Sequence, residues 1–208
     1  VGDYRPEGGC LIAALGTIAP IASLRRTLPH DITNALAASA LVLETGLADA
    51  DAIERALAAF VGPPHRLERL GSHNGADWLN DSKATTPHAA SAAIRSFENI
   101  VLIAGGADKG VDLSSMADEA WRCIGVIAIG TTASTIVNVF SSVARVESAG
   151  TLERAVARAA IWAGPGDTVL LSPGCASLDQ FANFEDRGEA FRTLFAQLAE
   201  PQLPGGPG

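Results

Sequence analysis

From Asp77 to Leu171 the chain alternates between two kinds of apolar stretch. Asn99 to Ala104, Ile124 to Ile129 and Thr168 to Leu171 are nearly continuous apolar runs. A strand with one wet face alternates apolar and polar residues. A run without that alternation is a strand buried on both faces, as in a parallel sheet covered by helices. Between the runs, apolar residues recur at intervals of three and four over Pro87–Phe97, Leu113–Trp121, Ala133–Phe140 and Leu152–Trp162, and again over Phe184–Leu198. This is the helical period. Pro87 suits a first helical position, and Thr151 is placed to cap the helix that follows it. Ala144 to Glu147 reads as a short strand. Asn74-Gly75, between Arg66–Leu70 and Asp77–Asn80, tolerates positive φ at both turn positions and predicts a hairpin. The fold class that follows is α/β, with a mostly parallel sheet and helices on both faces.

The pattern differs before Gly62-Pro63-Pro64. Residues 1–27 carry weak signals, with strand character only at Cys10–Ala14. Asn34–Leu47 and Ala52–Phe60 have helical spacing, the second capped by Asp49 or Asp51. The Gly-Pro-Pro stop marks a boundary, giving segments 1–62 and 63–199. Residues 200–208, rich in Pro and Gly, are expected to form a frayed tail.

Composition removes several function classes. A formal charge of −8 argues against nucleic-acid binding. Three cysteines, odd in number and far apart, argue against a disulfide framework and fit a reducing compartment, so the cytoplasm is expected. The four histidines have no metal-ligand spacing. Cys10–Leu24 is too short to span a bilayer and is broken by Gly16 and Pro20, and no signal peptide is evident.

Of the 15 basic residues only two are lysines, Lys83 and Lys109. Both fall in loops just after predicted strands. In a sheet of this kind ligands bind at the carboxyl ends of the strands, and the loops there are NDSKATTP, AGGADKG, IGTT, ESAG and LSPGCASLDQF. Both lysines and the stretch after Leu171 therefore share one edge. Each ammonium can pair with a carboxylate or phosphate, and Ser82, Thr85, Thr86 and Ser177 offer hydroxyls. At Ser172–Phe184 two readings stay open. Unpaired N–H groups at the start of the last helix would bind an anion; otherwise this is an ordinary strand-to-helix turn. Asp108 reads as a loop cap, and Cys175 as a small packed residue rather than a nucleophile, since no GxSxG elbow accompanies it. Neither GxGxxG nor GxxxxGK[ST] is present.

NDSKATTP, IAGGADKG and LLSPGCASLDQFANFEDRGEAF together resemble the C-terminal domain of the D-glutamate-adding Mur ligases, the UDP-N-acetylmuramoyl-L-alanine:D-glutamate ligases of peptidoglycan synthesis. HDITNALAA and PPHRLE resemble the segments that end that family's central ATPase domain and lead into the C-terminal one. The resemblance covers Leu28 to Leu198. Two positions depart from the family pattern: Asp31 stands where an Asn is usual, and Thr86 where an Asn usually follows DSKAT.

The resemblance implies a Rossmann-like domain preceded by part of a central ATPase domain. It implies ATP-dependent amide formation through an acyl phosphate of UDP-N-acetylmuramoyl-L-alanine, which the amine of D-glutamate attacks. ATP and magnesium are the implied cofactors, with the phosphate loop and the magnesium ligands expected upstream of this chain, so that the chain alone would be inactive. Carried over by motif, Thr85, Lys109, Ser177, Leu178 and Phe184 match the D-glutamate pocket. Lys83 would face the reacting groups. Asn34 matches an adenine contact, Arg66 a phosphate or ribose contact, and Asp81 a ribose contact. A monomer is favoured, with no nucleic-acid or membrane partner. Two other readings are a dinucleotide-binding redox domain, disfavoured by the missing GxGxxG, and a stand-alone acidic-metabolite binding module without catalysis.

Overall fold

The computed structural model describes residues 4–14, 16–142 and 145–199; the tail expected over 200–208 lies outside the described residues. The chain divides into two compact units at Gly62/Pro63.

In the first unit, β1 (Arg5–Glu7), β2 (Cys10–Ala13) and β3 (Gly16–Pro20) form an antiparallel meander, followed by α1 (Pro29–Glu44) and α2 (Ala50–Ala59). Leu11, Ile18, Ala35, Leu36 and Ile53 make its core. The meander was not expected, because β1 is exposed along its whole length and offers no alternation to read. α1 starts five residues before the predicted Asn34. Pro29 supplies the first helical position, and Asp31 accepts from Leu28 N at 3.3 Å. Asp31 is itself held by a two-pronged pair with Arg26, at 2.7 Å on each oxygen. Asp31 thus has a capping role at the start of α1. Of the two candidate caps for α2, Asp49 is used, accepting from Ala52 N at 2.8 Å.

The second unit runs β4 (Glu68–His73), β5 (Ala76–Asn80), α3 (Pro87–Ile94), β6 (Ile100–Gly105), a 3-10 segment (Ser114–Arg122), β7 (Cys123–Ile129), α4 (Ala133–Phe140), β8 (Val146–Gly150), α5 (Leu152–Trp162), β9 (Thr168–Leu171) and α6 (Phe184–Ala199). The strand order is β4-β5-β9-β6-β7-β8. Only the β4–β5 hairpin is antiparallel, turning through Asn74 and Gly75 at φ 52° and 80°. α5 and α6 cover one face over Trp78, Val101, Ile103, Ile127, Val169 and Leu171. α3, the 3-10 segment and α4 pack on the other.

Where an α-helix was predicted over Leu113–Trp121, the chain winds as 3-10, with a break at Glu119. Asp112 caps Ser114 through both its amide and its hydroxyl. Leu113, Met116 and Ala120 are buried, so tertiary packing of three residues, rather than helix propensity, sets this short segment. The strand predicted at Ala144–Glu147 lies instead at Val146–Gly150; Ala144 is outside the described residues.

One feature of the topology builds the site. β9 is the last strand in the chain but sits between β5 and β6. Asn80, Leu171, Ile103 and Ile127 form one row across four parallel strands. The residues that follow them therefore open side by side on the same edge.

Candidate active site

Backbone hydrogen bonds stitch the three central loops together. The loop after β5 is held to the loop after β9 by Asp81 N→Leu171 O (2.8 Å) and Gly174 N→Ala84 O (2.9 Å). The loop after β6 is held by Gly105 N→Pro173 O and Ala107 N→Ala176 O, both 2.8 Å. The latter belongs to a bridge between Ala107 and Ala176. It sets the loop of Lys109 beside Ser177 and Leu178.

Lys83, exposed in the loop after β5, lies over the Phe184 ring with Nζ 5.2 Å from its centroid. The Lys83 amide donates to His65 O at 3.0 Å, and the His65 ring meets Phe184 edge-on. Thr85 is half-buried in the same loop, and Thr86 caps α3 by accepting from Ala89 N. Ser177 is 3% exposed and Leu178 64% exposed, one sealed and the next offered to solvent. Lys109 is exposed. Asp108 accepts from Gly110 N at 2.8 Å, the loop cap its sequence suggested.

The residues matched to nucleotide contacts fall differently. Arg66 is exposed, between buried His65 and Leu67. Asp81 is 5% exposed; its carboxylate accepts from Leu67 N at 3.1 Å and from Ser172 Oγ at 2.8 Å. A ribose hydroxyl would have to share oxygens that already hold the turn of Arg66 against β9. Asn34 belongs to α1 in the first unit and is exposed there.

The start of α6 carries an N-cap of its own. It begins at Phe184, after a twelve-residue connection (172–183) from β9, and Asn183 Oδ1 takes the Asp186 amide at 2.6 Å. Glu185 and Asp186 already complement the helix dipole in its first turn. One of the first-turn donors is therefore already satisfied within the chain.

The buried cation of the site is one that sequence reasoning passed over. Arg187, 1% exposed, donates from Nε to Ser82 Oγ (3.0 Å), from Nη2 to Ser82 O (2.9 Å), and from Nη1 and Nη2 to Cys175 O (3.2 Å each). Ser82 Oγ in turn donates to Phe184 O at 2.8 Å. Among the described residues Arg187 makes no salt bridge; hydroxyl and carbonyl oxygens hold its guanidinium, and the Asp179 carboxylate lies near enough to favour its charge. Burial lowers its pKa to about 10, which leaves it a fixed positive charge at neutral pH. Its signal lay within the FEDRG motif, yet nothing in a one-dimensional reading says that the side chain turns inward. Cys175 is buried and its thiol pushed up chiefly by that burial, as a packed residue should be.

A family model described as Mur ligase, glutamate ligase domain, matches residues 65–175, more than half of the chain. The chain belongs to the Mur ligase family. Among curated relatives, the UDP-N-acetylmuramoylalanine–D-glutamate ligase of Myxococcus xanthus is 42% identical over 193 residues, which are 92% of this chain and 42% of that protein. The enzyme of the same name from Chlorobium limicola is 46% identical over 171 residues, 81% of this chain and 37% of that one. The Chlamydia caviae enzyme is 36% identical over 204 residues, 95% and 49%. This Mur ligase chain thus spans less than half the length of the curated relatives it matches. Among solved structures, a pseudomurein peptide ligase type C from Methanothermus fervidus superposes with a TM-score of 0.67 at 18% identity, over 93% of this chain and 41% of that one. The UDP-N-acetylmuramate-alanine ligase of Thermotoga maritima gives 0.63 at 17%, over 84% and 39%. These likenesses establish the Mur ligase fold. No helix among the described residues is long and apolar enough to cross a membrane.

Proposed function

We propose that this chain supplies the D-glutamate side of an ATP-dependent amide-bond ligase that adds D-glutamate to UDP-N-acetylmuramoyl-L-alanine in peptidoglycan synthesis. The observation that carries the reading is the bridge between Ala107 and Ala176, which brings the loop of Lys109 against Ser177 and Leu178. It stands on a chain whose relatives bear the name of that ligase. The second unit is then the C-terminal domain of the ligase and the first unit the end of its central ATPase domain, in a cytoplasmic enzyme. The free thiols of Cys10, Cys123 and Cys175 support that compartment.

D-Glutamate is a dicarboxylate that must present a free amine. Lys109 holds one carboxylate as a point charge, and Thr85 and Ser177 donate to carboxylate oxygens. Leu178 and Phe184 provide apolar walls along the methylene chain. The fixed charge of Arg187 favours the anion from beneath without touching it. Held at both ends, the amine is aimed at an acyl carbon, and orientation of this kind is the largest contribution such a domain can make. Lys83, resting on Phe184, stabilises the negative charge that develops on the oxygen of that acyl carbon. The acyl group belongs to UDP-N-acetylmuramoyl-L-alanine: phosphoryl transfer from ATP to its carboxylate gives the acyl phosphate and ADP, and attack by the amine forms the amide and releases phosphate. Asn34, Arg66 and Asp81 are the residues of this chain that would contact the nucleotide, Asn34 its adenine, Arg66 a phosphate or ribose and Asp81 a ribose. Magnesium would accompany ATP; among the described residues no group of three or more His, Cys, Asp or Glu side chains could hold a metal ion.

The test is steady-state turnover by the enzyme that carries this chain. ADP release should require UDP-N-acetylmuramoyl-L-alanine and D-glutamate together, with L-glutamate a poor substitute. Turnover indifferent to D-glutamate would overturn the reading and favour an acidic-metabolite binding module.

A further inference from the structure

Thr131 lies in the loop after β7, outside the motifs that carry the Mur ligase resemblance. Its hydroxyl accepts from the Asp108 amide at 3.1 Å and donates to Gly106 O at 3.0 Å. It thereby grips the backbone at the entrance of the Lys109 loop. Its own amide donates to Asp179 Oδ2 at 3.0 Å, one residue beyond Leu178. One residue therefore holds the Lys109 loop through its side chain and the Ser177–Leu178 segment through its backbone.

The surroundings are shaped for this contact. A Cβ at Gly130 (φ 72°) would lie 2.2 Å from Asp179 Oδ2 and 2.6 Å from Gly106 Cα, so only glycine lets both approach. Thr132 reinforces the grip, donating from its amide to Gly106 O and accepting from Gly106 N with its hydroxyl, each at 3.0 Å. Gln180 Nε2 fastens the far end of the segment to Gly150 O at 2.9 Å.

We propose that Thr131 and Asp179 are positioning residues: they buckle the Lys109 loop to the Ser177–Leu178 segment and fix the span across which a dicarboxylate is held. The ligand rests on the D-glutamate reading above; the buckle itself does not. A ligand gripped at both ends is sensitive to the separation of its grips, and a site held to within a fraction of an ångström needs supporting contacts of this kind. Thr131 is exposed and Asp179 half-buried, so neither is needed to fill the core.

The experiment has two arms. In the first, amide hydrogen exchange is followed by NMR on the 208-residue chain. Thr131→Val keeps the branched shape but removes the acceptor, and Asp179→Ala removes the acceptor of the Thr131 amide. Exchange at Asp108 should quicken roughly threefold to tenfold in Thr131→Val, as losing one hydrogen bond implies, and Thr131→Ser should restore it. Exchange at Thr131 should quicken in Asp179→Ala. Unchanged exchange overturns the buckle. In the second arm, the enzyme that carries this chain is assayed. Thr131→Val should raise the D-glutamate KM by a similar factor while the ATP KM stays put, with Thr131→Ser close to the original enzyme. Faster exchange with an unchanged D-glutamate KM overturns the positioning role. Failure of the unsubstituted enzyme to use D-glutamate overturns the ligand reading instead, and leaves the first arm to decide the buckle.

Discussion

Arg187 reaches across the sheet end to Ser82, 105 residues earlier in the chain, and binds both its hydroxyl and its carbonyl oxygen, at 3.0 and 2.9 Å. The same guanidinium satisfies Cys175 O. Arg187→Met would strand two buried carbonyl acceptors, each costing about 1–3 kcal/mol. Relief from burying the charge offsets part of that. A net loss of about 2 kcal/mol in urea unfolding is expected, with Arg187→Lys in between because one ammonium cannot span both carbonyls. No measurable loss would mean that the fork holds nothing together.

Gly188 packs against His65 so closely that a Cβ there would lie 2.2 Å from Nδ1. His65 cannot readily give way: it is buried, held at φ 60°, and contacts Asn80 Nδ2 at 3.0 Å. Gly188→Ala should therefore destabilise the second unit by roughly 1–3 kcal/mol, the usual cost of overpacking, in thermal or urea unfolding. His65→Gly, which vacates the space and tolerates positive φ, should make a second Gly188→Ala change nearly neutral. Additive losses in the double variant would show that the two residues do not collide.

Lys109→Ala in the enzyme that carries this chain should raise the D-glutamate KM or depress kcat at least tenfold, about 1.4 kcal/mol of transition-state binding. The KM for ATP should stay near its original value. Glutamate kinetics left untouched would remove Lys109 from the site.

The three thiols differ in reach. Burial pushes Cys123 up to about 12 and also raises Cys175. Cys10 is half-buried in β2. Only a thiolate alkylates. Iodoacetamide at pH 8 should modify Cys10 first in the folded chain, and all three after unfolding, as read by mass spectrometry of tryptic peptides. Early labelling of Cys123 would contradict its packing in β7.

A surface pair gives a pH signature. Asp77 is held below the usual carboxylate range by hydrogen bonds from Arg69 and Ser72. A depressed carboxylate contributes stability that is fully present above the unfolded pKa, near 3.8, and is lost as pH falls through the lower folded value. Both partners are about half-exposed, so the contribution should stay below about 1 kcal/mol. The stability difference between the parent chain and Arg69→Met should be constant above about pH 5 and shrink as pH falls below the unfolded value near 3.8. A difference that does not shrink on acidification would assign it to packing by the arginine stem.

Much of this architecture could be read from one dimension because its strongest signals are local. The runs that became β6, β7 and β9 are apolar without interruption, and Asn74-Gly75 and Pro87 announce their turn and helix start directly. The loops that carry Lys83 and Lys109 followed from strand order. What stayed hidden depends on contacts between distant residues. Arg187 stood in view in the last motif, but its inward turn is fixed by Ser82 and Cys175. Asn183 caps one donor at the start of α6, a pairing that composition alone did not name. Thr131 carries no motif at all; its meaning comes from Gly106, Asp108 and Asp179 meeting around it.

The position of β9 has a consequence for how the chain is made. The strand that completes the centre of the sheet is the last to leave the ribosome. Until residues 168–171 appear, β5 and β6 have no strand between them, and each keeps an apolar edge unpaired. A nascent or truncated chain ending before Thr168 holds two strand groups that cannot join in the native order. Premature release before Thr168 should therefore leave those edges exposed and yield aggregating chains rather than a smaller folded domain.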